Sequence, residues 1–198
     1  MPRPLLALCA IVKDEESAIG RTLESVRDVV DHCTVSDTGS RDGTRRVVSK
    51  IGQEIWPAQK HVWDEDFVDY ASARNRVLEI EATCRPVSAT WALSLSADEV
   101  LHGGEHLSAF LKSYGGEEDA LLVEIRTPTG AFDYPRVLRL GGPWRYEGAV
   151  HEVPIHQGDR SRKPVVKIPG CWVEYASTDP ERLGRRLRER DIPILIKQ

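Results

Sequence analysis

The strongest constraint on the fold is the stretch Leu5 to Val12, LLALCAIV, an unbroken apolar run ending in β-branched residues. Such a run needs apolar cover on both faces, the environment of a strand inside a parallel sheet. A helix is predicted from Glu15 to Val30, where Ile19, Leu23, Val26 and Val30 recur every three or four positions. The acids Asp14, Glu15 and Glu16 stand where they would favour its N-terminus. Cys33 to Ser36 reads as a second short strand and DTGSRDGT at 37 to 44 as a loop of turn formers. Thr44 to Ile51 reads as a second helix. Strand, helix, strand, helix in this order predicts a parallel, doubly wound sheet.

Further along, Gln53 to Tyr70 carries Trp56, Trp63, Phe67 and Tyr70 among charges and is predicted to be a third strand running into a loop. Ala71 to Thr83 returns to a helical pattern. Trp91 to Leu95 alternates into a strand that stops at Ser96, Ala97, Asp98 and Glu99. Carboxylates are thereby placed at the C-terminal edge of a strand, where open α/β sheets bind ligands. A helix from Glu105 to Tyr114 should precede strands near Leu121 to Ile125 and Arg136 to Leu140. Tyr146 to Val153 should cross back afterwards, with antiparallel additions in this second half. The tail from Pro180 to Arg190 reads as a basic helix with Asp179 as N-cap and Pro193 as stop. Its arginines, Arg185, Arg186, Arg188 and Arg190, suit a solvated face, or one that docks a membrane or partner.

Composition narrows the function classes. With 198 residues, 40% hydrophobic and 29% charged, the chain suits one well-cored domain with a short appendage. The expected division is a domain over 1–176 followed by a tail at 177–198. The 27 basic and 31 acidic side chains leave a formal charge of -4, which argues against nucleic acid as a partner. Cys9, Cys33, Cys84 and Cys171 lie far apart without a CxxC pair and read as buried apolar residues in a reducing compartment. The run from Leu5 to Val12 is too short to span a bilayer, and Arg3 is the only basic residue before it. No transmembrane segment or signal peptide is expected, and the expected location is cytoplasmic. No internal repeat or low-complexity segment is visible.

The chemistry lies in five separated motifs: AIVKDEE at 10–16, VSDTGSRDGT at 35–44, SARN at 72–75, LSADE at 95–99 and YEGAVHE at 146–152. At these residues the chain resembles family 2 glycosyltransferases of the GT-A fold, especially the subgroup with KNEE, DTGSTDGT, AARN, LDADE and a late HE pair. The motifs occur in the same order over roughly three quarters of the chain. The resemblance implies a Rossmann-like, mostly parallel α/β sheet flanked by helices, with a few antiparallel strands in the second half. It also implies a nucleotide-binding half at about 1–100 and an acceptor half at about 101–176, with a nucleotide-sugar site built from Ala10, Val12, Glu15, Asp37, Gly39, Arg74, Ser96, Ala97 and Asp98.

Within that site, Asp37 at the tip of the second strand can accept hydrogen bonds from a base N–H or a ribose hydroxyl. Without the resemblance it reads as an Asx-turn former. Thr38, Gly39 and Ser40 would let the backbone pass close to the nucleoside. Glu15 has two readings, one facing the nucleotide and one favouring the helix dipole. By resemblance Asp98 is the last Asp of a DxD motif and a ligand for Mn²⁺ or Mg²⁺, which prefer carboxylate oxygen and stabilise a departing diphosphate. The first position of that motif is Ser96, so one negative charge is missing. His151 is the implied second metal ligand. Glu152, ahead of Glu99, is the candidate catalytic base for an inverting reaction, whereas a retaining one would need no such base. Arg74 is implied to lie near the diphosphate, and Arg136 and Arg139 could meet phosphate or an anionic acceptor.

The implied activity is transfer of a sugar from a nucleoside-diphosphate sugar, UDP- or GDP-linked, to a saccharide, protein or small-molecule acceptor. A non-catalytic nucleotide-sugar or carbohydrate-binding module with a lapsed DxD site is the competing reading, and Ser96 is the feature that favours it. A nucleotidyltransferase would need a Gly-rich basic loop after the first strand. A Walker-type NTPase would need GxxxxGK[ST]; the sequence has neither.

Overall fold

In the computed structural model, the described residues are 4–56, 60–63, 67–83, 88–175, 184 and 187–196. Strand β1 (Leu6–Val12) is buried at all seven positions. It lies between two parallel neighbours, β2 (His32–Asp37) and β4 (Trp91–Ser96), pairing Val12 with Asp37 and Ile11 with both Ser36 and Ser96. The other strands are β3 (Lys60–Trp63), β5 (Glu99–His102), β6 (Ala120–Thr127), β7 (Gly130–Arg139), β8 (Trp144–Glu147), β9 (Val153–His156) and β10 (Lys167–Tyr175). The eight-stranded sheet has the order β3-β2-β1-β4-β7-β6-β10-β5, and β8 and β9 form a separate antiparallel pair. Strands β3, β2, β1 and β4 are parallel; β7 runs antiparallel between β4 and β6, β10 is parallel to β6, and β5 is antiparallel to β10. Consequently β1, β2, β4, β6 and β10 all bring their C-terminal ends to one edge.

Helices cover both faces. Helices α1 (Ile19–Ser25), α2 (Thr44–Ile55) and α4 (Gly104–Ser113) pack Leu23, Val48 and Leu107 against Leu8, Leu93 and Ile125 on one side. On the other, α3 (Tyr70–Thr83) and β8 pack Ala73, Val77, Trp144 and Tyr146 against Cys9, Ala92 and Leu138. Asp69 caps α3 by accepting the Ser72 N–H at 2.7 Å. Glu81, fully buried on α3, accepts from Thr34 Oγ1 at 2.5 Å and lies 2.9 Å from His32 Nδ1, fastening the helix to β2.

Several expectations are corrected. The helix predicted over 15–30 is only α1, because the acids before it serve a loop: Asp14 Oδ1 accepts from the Arg41 N–H and Glu16 Oε2 from the Gly43 N–H. Asp14 itself has a left-handed φ of 53°. Helix α2 continues to Ile55, so the third strand starts at Lys60 rather than Gln53. The crossing strand expected over 146–153 is broken by Gly148 (φ 100°) and His151 (φ 60°) into the β8–β9 hairpin. Strands β5 and β10 had no counterpart in the sequence reading. In the tail, Asp179 and 180–183 lie outside the described residues; 187–191 form a π turn and α5 spans Ile192–Ile196. Pro193 sits inside the first turn of α5 and does not stop it, a position where a missing N–H leaves no helix bond unmade. Cys9, Cys33 and Cys171 are buried, and burial pushes the Cys171 thiol up to about 12; Cys84 lies outside the described residues.

Candidate active site

At the shared C-terminal edge, β1, β2, β4 and the start of α3 surround a cavity of about 50 Å³. Val12, Glu15, Arg74, Ser96, Ala97, Asp98 and Glu152, expected from four of the five motifs, all line it. Ile11, Lys13, Thr38 and Tyr70 complete the wall. Four expected residues, Ala10, Asp37, Gly39 and His151, do not line the cavity. Ala10 is wholly buried, packed in the core behind the cavity. Asp37 lies in its fully buried strand end, beside Thr38, whose N–H and Oγ1 both donate to the Val12 carbonyl. His151 is exposed in a left-handed turn and does not line the cavity with Asp98.

Arg74 organises the interior. Its Nε donates to Glu152 Oε1 at 2.5 Å, Nη1 to Ser94 Oγ at 3.1 Å and Nη2 to Ser96 Oγ at 3.0 Å. The guanidinium also lies 5.5 Å from the centre of the Tyr146 ring. Burial alone would lower the Arg74 pKa, but the neighbouring Tyr146 and Glu152 hold it above its usual value. Glu152 is held a second way, by Tyr134, whose hydroxyl donates to the Glu152 carbonyl at 2.8 Å. Burial pushes the Tyr134 phenol up to about 12, so it stays a donor throughout the physiological range.

The turn after β4 is fixed from below. Glu99 is fully buried; its Oε2 accepts the Ser96 N–H at 2.7 Å and its Oε1 pairs with Arg136 Nη2. Thr22 Oγ1 donates to the Ala97 carbonyl at 2.8 Å. Asp98, 6% exposed, therefore projects from a turn anchored on both flanks. These contacts commit Glu99 to supporting the turn rather than to proton transfer. They also give Arg136 a protein partner in place of phosphate. Arg139 likewise pairs with Asp119 at 2.7 Å and lies over the Trp91 ring.

Asp37 shows a division of labour between its oxygens. Oδ1 accepts from the Gly39 N–H at 3.0 Å, the Ser40 N–H at 2.8 Å and Arg45 Nε at 3.1 Å. Oδ2 is buried with no hydrogen-bond partner among the described residues. Gly39 adopts φ 98°, which only glycine takes readily, so the loop can fold back onto Asp37. Among the described residues, no group of three or more His, Cys, Asp or Glu could by itself hold a metal ion. Tyr70 and Lys13 were missed as wall residues. Lys13 lies within a quoted motif, but Tyr70 reaches the cavity only through the packing of α3.

A doubly wound sheet that ends in this cavity, with antiparallel strands appended, defines a GT-A type domain. The family model for glycosyl transferase family 2 matches residues 8–176, and the chain belongs to that family. A TPR repeat-containing protein of Synechococcus elongatus is 34% identical over 140 residues, covering 68% of this chain and 31% of that protein. The chain thus spans under a third of the length of this curated relative. Among solved structures, S. aureus TarS in complex with UDP superposes with a TM-score of 0.51 at 18% identity, over 62% of this chain and 36% of that one. The mannosyltransferase PcManGT from Pyrobaculum calidifontis, in complex with GDP-Man and Mn²⁺, gives 0.50 at 21% identity, over 64% and 37%. At these identities the likeness is one of fold. No helix among the described residues is long and apolar enough to cross a membrane.

Proposed function

We propose that this chain takes a sugar from a UDP- or GDP-linked donor and passes it to an acceptor hydroxyl, with Mn²⁺ or Mg²⁺ at Asp98. The observation that carries this reading is the convergence of residues from all five motifs, or their immediate neighbours, on one sheet edge around Arg74 and Asp98. It also supports the subgroup with DTGSTDGT-type and LDADE-type motifs. The orphaned Asp37 Oδ2 suits a base N–H or ribose hydroxyl, while Gly39 and Ser40 hold the other oxygen. Glu15, on the cavity wall, would face the same nucleotide.

The donor set fits a cation that arrives with its diphosphate. One buried carboxylate cannot cage Mg²⁺ or Mn²⁺, but such ions commonly take one or two carboxylates together with phosphate oxygens and water. Asp98 would hold the ion, with His151 as the second candidate ligand. When bound, the ion supplies charge stabilisation to the leaving diphosphate. The residues of the chain do the rest. Arg74 presents a buried cation to the phosphates, and its bond to Ser96 is neutral where an Asp would have paired with it. Glu152 Oε takes the proton from the acceptor hydroxyl as the new C–O bond forms. The bond from the sugar to the diphosphate breaks, and its electron pair leaves with the nucleotide. Arg74 holds Glu152 through Oε1, and Oε2 would take the acceptor proton.

Ser96 favours a second reading, a binding module whose chemistry has lapsed. Turnover separates the two. Release of UDP or GDP from a sugar conjugate, faster than the spontaneous rate and abolished in Glu152→Gln, supports the enzyme. Tight donor binding without release supports the module. A cytoplasmic site of action accords with cysteines that lie far apart in sequence without a CxxC pair, three of them buried.

A further inference from the structure

A second and larger cleft, about 1030 Å³, opens on the same edge of the sheet, between α1, the edge strand β5, the β6–β7 turn and the end of β10. It is adjacent to the first cavity. Val100 in its wall is two residues beyond Asp98, and Ser25 in its wall accepts the Leu101 N–H at 3.1 Å. The bond from Thr22 to the Ala97 carbonyl makes α1 and the 97–99 turn the partition between the two spaces.

The floor of the cleft is a row of planar groups from three neighbouring strands. Trp172 on β10 stacks on His102 of β5, with centroids 5.1 Å apart and planes 7° from parallel, and carries the Arg126 guanidinium of β6 at 4.0 Å. Each outer group is braced by a carboxylate: His102 Nε2 lies 2.8 Å from Glu174, and Arg126 Nε donates to Glu124 at 2.6 Å. The row is therefore ordered before any ligand arrives, which lowers the entropy loss on binding. Arg21 and Arg126 face Glu24 and Glu174 in the lining, so the formal charges cancel. Such a surface has little attraction for a polyanion. It offers fixed donors and acceptors beside apolar area from Val100, Trp172 and Tyr175, the mixture that a polyhydroxyl ligand with apolar ring faces requires. The volume lies at the upper end of small-ligand sites and suits several sugar rings rather than one.

We infer that this cleft binds a neutral oligosaccharide, the portion of the acceptor remote from the hydroxyl that receives the sugar. The acceptor role rests on the glycosyltransferase reading above, whereas the binding site itself can be tested alone. Calorimetry with neutral hexasaccharides of glucose, mannose, galactose and N-acetylglucosamine, and with an anionic hyaluronan hexasaccharide for contrast, would be run on the wild type, Arg126→Ala, Trp172→Ala and Asp98→Ala. UDP and GDP binding would be measured on the same samples. At least one neutral hexasaccharide should bind the wild type, weaken about 10-fold or more in Arg126→Ala and Trp172→Ala, and bind unchanged in Asp98→Ala. The inference is overturned if no neutral oligosaccharide binds at millimolar concentration, if the anionic one binds best, or if the two cleft variants bind like the wild type. Saccharide binding without nucleotide binding would leave the cleft standing and remove the donor reading; the reverse pattern would do the opposite. Arg126 is exposed, so its variant keeps the fold even if Trp172→Ala does not.

Discussion

Arg74 meets two serines of β4 and a carboxylate of the loop before β9, contacts that only a planar guanidinium can make together. Arg74→Lys keeps the charge but cannot span all three, so release of nucleoside diphosphate should fall about 10²-fold, measured under saturating donor. The buried pair of Glu99 and Arg136 makes a different prediction. Arg136→Met leaves Glu99 buried and uncompensated and should lower unfolding stability by about 3–5 kcal/mol in urea titration. An unchanged midpoint would show that the pair does not hold the 97–99 turn. Among side chains, the sequence was informative where a motif fell at the end of β4 or the start of α3, as with Ser96, Asp98 and Arg74. It was not informative for Glu99, whose burial depends on Arg136 across the sheet. Nor did it show His151 turned outward, because a left-handed φ at a histidine has no pattern signal.

Helix α3 carries Tyr70 and Arg74 into the cavity, and its N-terminus is set by Asp69. Asp69→Ala should cost about 1 kcal/mol of stability and weaken nucleotide binding through Arg74, as a melting curve and a titration on the same variant would show. The β8–β9 hairpin ends in another fastening, Arg160 to Glu147 at 2.6 Å, and the Arg160 and Gln157 hydrogen bonds hold the Glu147 carboxyl down at about 2. A depressed folded pKa stabilises above the unfolded value, near 4.5, and that contribution is lost as pH falls towards 2. The wild type should therefore melt slightly higher than Glu147→Gln at about pH 6, with the gap closing in acid, since an exposed pair contributes little. Strand β1 was legible from its unbroken apolar run, β4 from its alternation and α3 from its helical pattern. Helix α1 was overestimated because side chains that look like helix-favouring acids are used by the 37–44 loop. Strand β5 was hidden by its four-residue length and its position at the sheet edge.

The doubly wound first half could be read from the order of its elements, because parallel strands joined by helices leave few topologies. The second half could not, since β7 inserts between β4 and β6 and β10 returns beside β6, pairings that no local pattern records. The larger cleft arises from those pairings, which explains why its residues carried no motif. Both cavities share the edge set by the parallel strands, and the proposed function has nucleotide and metal bind together in the smaller one. Calorimetric titration of UDP and GDP, with and without Mn²⁺, into the wild type, Asp98→Ala and His151→Ala measures that joint binding. One nucleotide should bind only when Mn²⁺ is present and lose its metal dependence in Asp98→Ala, with the His151 variant showing whether that side chain joins the ion. Binding that ignores both Mn²⁺ and the loss of Asp98, or no binding at all, would contradict the assignment of this edge as a metal-dependent sugar-nucleotide site.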